Sequence, residues 1–311
     1  MHIINTLAPV FLIIILGAVL KRTGFVTDQL LAGLNRLVYW VGLPVLLFYA
    51  VAVASYDFHS AGKTFIVVFI GMLGSIVVGY IAAFILKVPV ASIGTFVQGV
   101  FRGNLMYIGL PIIIYSFVGS GQAGRMENIA ALVLGFIVPF YNIAAVIVLL
   151  ASQHRIDKYI FGKIFRPVIT NPFFIACVAG LVYSAAGFPI PLLLGRTFDA
   201  VGRMALPLAL IAIGGTLAES QVAVIGSVPA FVCSLIKIAV TPLIGFVFAF
   251  LLHLGGGETR VALLYLACPT AVVSFVFAEQ LKGDSNMAAA VVFISTVLSV
   301  FSLGIVLAIF R

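Results

Sequence analysis

Stretches of about twenty apolar residues follow one another along almost the whole chain, and this limits the fold before any motif is considered. Inside a bilayer no water is available to satisfy the backbone, so only α-helices and closed β-barrels can cross it. The apolar runs are continuous rather than alternating, which selects helices. Composition agrees. Of the 311 residues, 63% are hydrophobic and only 8% are charged, against about 25% charged in a soluble domain. The sequence therefore predicts an all-α integral membrane protein.

A helix needs about 20 residues to cross the ~30 Å hydrocarbon core. Ten segments meet that need: 3–20, 31–54, 64–86, 92–118 and 128–150, then 169–186, 197–218, 226–252, 260–281 and 286–310. They fall into two five-helix halves, 1–153 and 167–311, joined by a linker at 154–166. Seventeen Lys and Arg against nine acids give a net charge of +8. Most of these cations sit in short loops, where membrane topology explains them and nucleic acid is not implied. Lys21, Arg22, Lys87, Arg155, Lys158, Lys163, Arg166 and Lys282 all lie in odd-numbered loops. The excess predicts a cytoplasmic linker and both termini outside the cytoplasm. No positive region precedes the first apolar run, and Lys21 and Arg22 follow it, so it reads as a first span rather than a cleaved signal.

Punctuation repeats along the chain at a fixed offset. Pro9 and Pro172 are 163 residues apart, as are Gly17 and Gly180, Gly24 and Gly187, Phe25 and Phe188, and Leu43-Pro44 and Leu206-Pro207. Halves of five spans each must enter the membrane from opposite sides. Such an inverted repeat is the pattern of many secondary transporters.

Two spans are interrupted. The fourth contains Arg102-Gly103-Asn104 and then Gly109-Leu110-Pro111; the ninth contains Ala267-Cys268-Pro269-Thr270. Proline inside a helix removes a donor and clashes with the preceding turn. Paired broken helices in corresponding halves point to a transporter's binding site. At 1.5 Å per residue the fourth segment would reach ~40 Å, so it tilts or breaks. The amide of Asn104 offers donors and an acceptor, to a carboxylate or to freed backbone. Gly103 and Gly109 suit close backbone approach, and Pro111 a fixed break. Across from them, Pro269, Thr270 and Ser274 offer a half-helix start and two hydroxyls, which either meet a ligand or bond to their own helix. Lys237 lies deep in the eighth span, as an anion's counter-charge, a titrating group or a cation reaching for the interface. Arg102 is a second cation that could attract an anion, and Asn142 in the fifth span is a polar candidate. No carboxylate stands clearly at mid-membrane, which disfavours a carboxylate proton relay.

Cys177, Cys233 and Cys268 show no disulfide or zinc spacing. Hydrolase, metalloprotease and nucleotide-binding motifs are lacking, so no catalytic residue, cofactor or metal is expected and the chain does not read as an enzyme.

At the two breaks the sequence resembles the auxin efflux carrier family, in its bacterial branch. The carrying residues are Arg102-Gly103-Asn104, Gly109-Leu110-Pro111, Pro269-Thr270-Ala271-Val272-Val273-Ser274, Gly283-Asp284 and Ser295-Thr296. The short linker separates it from the plant hormone carriers. The resemblance implies an arrangement like that of the bile acid transporters. Spans 1, 2, 6 and 7 would form a scaffold that makes a homodimer contact, and spans 3–5 and 8–10 a transport domain in which spans 4 and 9 cross. It implies a small organic anion as substrate, and it places Asn104, Pro111, Pro269 and Ser274 at the crossing. The expected function is secondary transport of an organic acid anion across the bacterial inner membrane by alternating access. The alternatives are a sodium-coupled uptake symporter and a non-transporting receptor for the same ligand.

Overall fold

The computed structural model describes residues 2–53, 58–153, 170–219 and 227–310. The linker at 154–166 lies outside the described residues, as do the first residue of the sixth expected span and the start of the eighth. The described chain is helical throughout: α1 (His2–Arg22), α2 (Asp28–Ala52), α3 (Phe58–Ile85), α4 (Val90–Phe101), α5 (Leu105–Ser116), α6 (Ala123–Ser152), α7 (Pro172–Ala185), α8 (Leu192–Glu219), α9 (Val228–Leu251), α10 (Gly256–Ala267), α11 (Val273–Gln280) and α12 (Ser285–Ile309). Among the described residues six stretches, Asp28–Ala52, His59–Ile85, Ala123–Ser152, Leu192–Ala218, Val228–Leu251 and Ser285–Ile309, are long and apolar enough to cross a membrane. The interrupted fourth and ninth segments appear as the short pairs α4/α5 and α10/α11.

The chain divides into two compact units. The first holds residues 1–62, 106–138 and 169–219, and the second 63–105, 139–168 and 220–311. In the first unit α1 and α8 pack backbone to backbone. A side chain at Gly17 would strike the Ile211 carbonyl, and one at Gly214 the Ile14 carbonyl. Small residues permit such contact where lipid offers no hydrophobic drive between helices. In the same way Gly180 of α7 sits against the Phe48 carbonyl of α2. Gly24 and Gly187, one of the offset pairs, are both left-handed (φ 77° and 71°) and end α1 and α7.

The second unit is built on α4, which packs against α9 and α12 through Phe96, Val100, Cys233 and Val291. Its burial pattern inverts that of a soluble protein. Lys237, Ser75, Thr241 and Ser295 are fully buried, while Phe84 and Phe250 stand exposed. Lipid solvates such aromatic side chains, and the polar ones must find partners within the protein.

Among the described residues three turns are π-helical: Val38–Gly42 in α2, Leu105–Gly109 in α5 and Ile236–Val240 in α9. Each is followed, two residues on, by a proline: Pro44, Pro111 and Pro242. The proline cannot donate to the carbonyl four residues back and its ring crowds it, so the turn before it widens by one residue. The Leu43 and Thr241 N–H groups accordingly reach back five residues, to the Val38 and Ile236 carbonyls.

Candidate functional site

The two interruptions meet inside the second unit. Gly103 and Thr270 pair as an antiparallel bridge. The Asn104 N–H donates to the Pro269 carbonyl at 2.8 Å, and the Ala271 N–H to the Arg102 carbonyl at 2.9 Å. Each boundary of α10 lies 166 residues after its counterpart in α4, so the two breaks fall at equivalent places in equal twelve-residue helices.

Ending a helix leaves carbonyls with no N–H one turn ahead. In a dry interior each unmet carbonyl would cost several kcal/mol. Four of those freed here are met by side chains. The Thr270 hydroxyl donates to the Gly99 carbonyl at 2.7 Å, and the Thr241 hydroxyl to that of Val100 at 3.4 Å. On α10, the Lys237 ammonium donates to the Leu266 carbonyl at 2.7 Å and the Ser302 hydroxyl to the Ala267 carbonyl at 3.0 Å. Lys237 therefore does not reach for the interface. It is fully buried, in the widened turn of α9, with its charge beside the negative end of α10. Gly103 makes room for it, since a side-chain carbon there would lie 3.3 Å from both the Lys237 Nζ and the Tyr265 carbonyl.

Three N–H groups of the second break are also engaged. The Thr270 N–H donates to the Ser295 hydroxyl, that of Ser274 to the Ala271 carbonyl, and that of Phe275 to the Val272 carbonyl. These three backbone donors are thus spent within the protein, which leaves side chains as the main source of ligand contacts.

Those side chains form a seam between α4, α6 and α11. The Arg102 guanidinium lies 4.0 Å over the Phe277 ring and donates to the Asn142 Oδ1 at 2.6 Å. The Gln98 Nε2 points at the Ser274 carbonyl, 3.5 Å away. Tyr141 stacks on Phe101 with centroids 5.9 Å apart. Three buried polar atoms here have no hydrogen-bond partner among the described residues: Gln98 Oε1, Tyr141 OH and Ser274 Oγ. Buried polar groups are seldom left so.

Of the residues singled out from the sequence, Gly103, Asn104, Asn142, Lys237, Pro269, Thr270 and Ser274 all belong to the second unit, whereas Gly109 and Pro111 belong to the first. Sequence reasoning missed Gln98, Tyr141, Thr241 and Ser302, and named Ser295 only as part of the family resemblance. Hydroxyls and amides are unremarkable within apolar helices, and only the partner carbonyl gives them meaning. The Gly283-Asp284 motif clips a loop to α4: the Asp284 carboxylate caps α12 at the Met287 N–H and accepts from the Ser92 hydroxyl, and its own N–H donates to the Thr95 hydroxyl. The first unit has an open cleft of about 290 Å³ lined by Tyr49, Ile190, Arg196 and Asp199, none of them a residue picked from the sequence.

Two comparisons bear on this site. A family model described as "Membrane transport protein" matches residues 2–307. A Rhizobium meliloti (strain 1021) protein named "Putative malonate transporter" is 25% identical over 321 residues, covering 96% of this chain and 93% of that protein.

Proposed function

This chain belongs to the membrane transport protein family, the auxin efflux carrier family of the resemblance, and on that premise we propose that it carries a small organic acid anion, of the malonate class, through the paired breaks of its second unit. It is a membrane transporter, not an enzyme. The observation that carries the proposal is the bridge between Gly103 and Thr270 in two interrupted, equally long helices. A broken helix persists in a membrane where it lines a site and its backbone is satisfied. Arg102 supplies positive charge at 3% exposure, beside Asn142 and the partnerless hydroxyls of Tyr141 and Ser274. The name of the Rhizobium relative supports the substrate class.

Ten spans in two inverted halves complete the reading. The matching boundaries of α4 and α10 and the left-handed glycines 24 and 187 support it. Spans 1, 2, 6 and 7 serve as scaffold and dimer contact, both termini face outward from the bacterial inner membrane, and access to the site alternates between its two faces.

The test is uptake of labelled malonate into proteoliposomes of the purified protein under an imposed pH or sodium gradient, with Asn104→Ala as control. Gradient-driven uptake that is lost in a folded Asn104→Ala variant is the expected result. Uptake unchanged in that variant removes the site assignment. Malonate binding without uptake under any gradient turns the reading to a receptor.

A further inference from the structure

The three partnerless atoms of the seam differ in what they lack. Tyr141 and Ser274 each carry a hydroxyl that can donate, and Gln98 Oε1 can only accept. The Gln98 amide is oriented by its own Nε2, which is directed to the Ser274 carbonyl and leaves Oε1 as the free end. The residues are 1%, 3% and 2% exposed for Gln98, Tyr141 and Ser274, so bulk water does not complete them. Their helices are held together at this level. Gln98 reaches α11 through Ser274, Arg102 reaches α11 through Phe277 and α6 through Asn142, and Phe101 stacks on Tyr141.

A fully ionised carboxylate accepts hydrogen bonds and donates none, so it would leave Gln98 Oε1 unmet. A carboxylic acid group fits all three: its carbonyl accepts from the two hydroxyls, and its O–H donates to the amide oxygen. Resting on the organic-anion reading above, we infer that this seam binds a small dicarboxylic acid in its half-protonated, singly charged form. The neutral acid end lies on Gln98, Tyr141 and Ser274, and the ionised end on the Arg102 side. The cargo then brings its own proton.

The surroundings agree. The charged and titratable groups tied to the seam are Arg102 at the end of α4, Tyr141 on α6 and Cys268 at the end of α10, with Lys237 and Cys233 of α9 beside Cys268. No protein carboxylate is among them. On the described helices of the second unit the carboxylates are Glu258, in the first turn of α10, and Glu279, near the exposed end of α11. Asp284 is already engaged as the cap of α12. A proton that crosses with the anion is therefore carried most simply on the anion.

The test uses full-length protein in proteoliposomes, labelled malonate, and two unlabelled competitors of fixed single charge. Malonate monoamide keeps a donor and an acceptor at its neutral end. Malonate monomethyl ester keeps only acceptors. The expected result has three parts. The KM for total malonate rises about tenfold per pH unit above the acid's second dissociation. The monoamide competes with a constant independent of pH. The ester competes at least about tenfold more weakly than the amide, a gap that Gln98→Met closes. A KM that is flat or falls as the dianion accumulates overturns the inference while leaving the transporter reading intact, and so does an ester that matches the amide on the unmutated protein. Neither uptake nor malonate-dependent thermal stabilisation at any pH removes both together.

Discussion

Thr270 and Ser274 stand four residues apart, and their hydroxyls have opposite fates. That of Thr270 completes the Gly99 carbonyl at the end of α4, and that of Ser274 meets nothing among the described residues. Equal-sized substitutions should separate the two roles. Thr270→Val leaves a buried carbonyl unmet and should cost about 1–3 kcal/mol of stability. Ser274→Ala removes an unsatisfied group and should leave the unfolding midpoint unchanged or slightly higher, while weakening malonate affinity. Denaturant or thermal unfolding in detergent, with and without malonate, checks both. The sequence marks both residues because they follow Pro269 in a broken span. It does not distinguish them, since the distinguishing atom, the Gly99 carbonyl, is 171 residues away. Lys237 is a similar case. A lysine in an apolar run is conspicuous in any sequence, but its assignment to the Leu266 carbonyl depends on how α9 packs on α10.

Prolines write the shape of the helices. The break at Pro269 and the widened turns before Pro44, Pro111 and Pro242 follow from one property, the missing N–H. The prolines are legible in the sequence, and so are the broken spans. The π turns are less so, because Pro9, Pro139 and Pro207 also lie inside helices and follow regular α-helical turns. A neighbour decides whether a helix kinks or widens. In α9 the widening carries Lys237, so Pro242→Ala tests its purpose. Alanine favours a regular helix by about 3 kcal/mol over proline in a helix interior. Closing the turn would rotate Lys237 by about 100° relative to the segment that follows. Malonate uptake is expected to fall at least about tenfold, while the gain of about 3 kcal/mol in helix propensity offsets the Leu266 carbonyl that Lys237 leaves unmet and keeps the protein folded. Uptake unaffected by Pro242→Ala would mean that the wide turn only accommodates the proline.

At the scale of the whole molecule, amphipathic logic is reversed: apolar side chains face outward and the polar inventory is spent within. Apolar run length made that legible in the sequence, along with helix type and the two interruptions. Which helix meets which lies beyond local pattern, since the seam joins residues 98, 141 and 274. One consequence separates the proposal from a sodium-driven symporter. Carbonyls freed at helix breaks are natural ligands for a sodium ion, but four of them here already accept from Thr270, Thr241, Lys237 and Ser302. Exchanging sodium for potassium should leave the melting midpoint of the purified protein unchanged. A sodium-dependent rise would favour the symporter. The same capped carbonyls also shape how such a site changes over generations. No cap lies on the same helix as its carbonyl, so losing a cap exposes a fault that no neighbour along the chain can repair. Lineages that alter the breaks must pass through paired substitutions, with the single steps disfavoured. New cargo specificity is more readily reached through Gln98, Tyr141 and Ser274, whose partnerless atoms can be exchanged one at a time without leaving a carbonyl stranded.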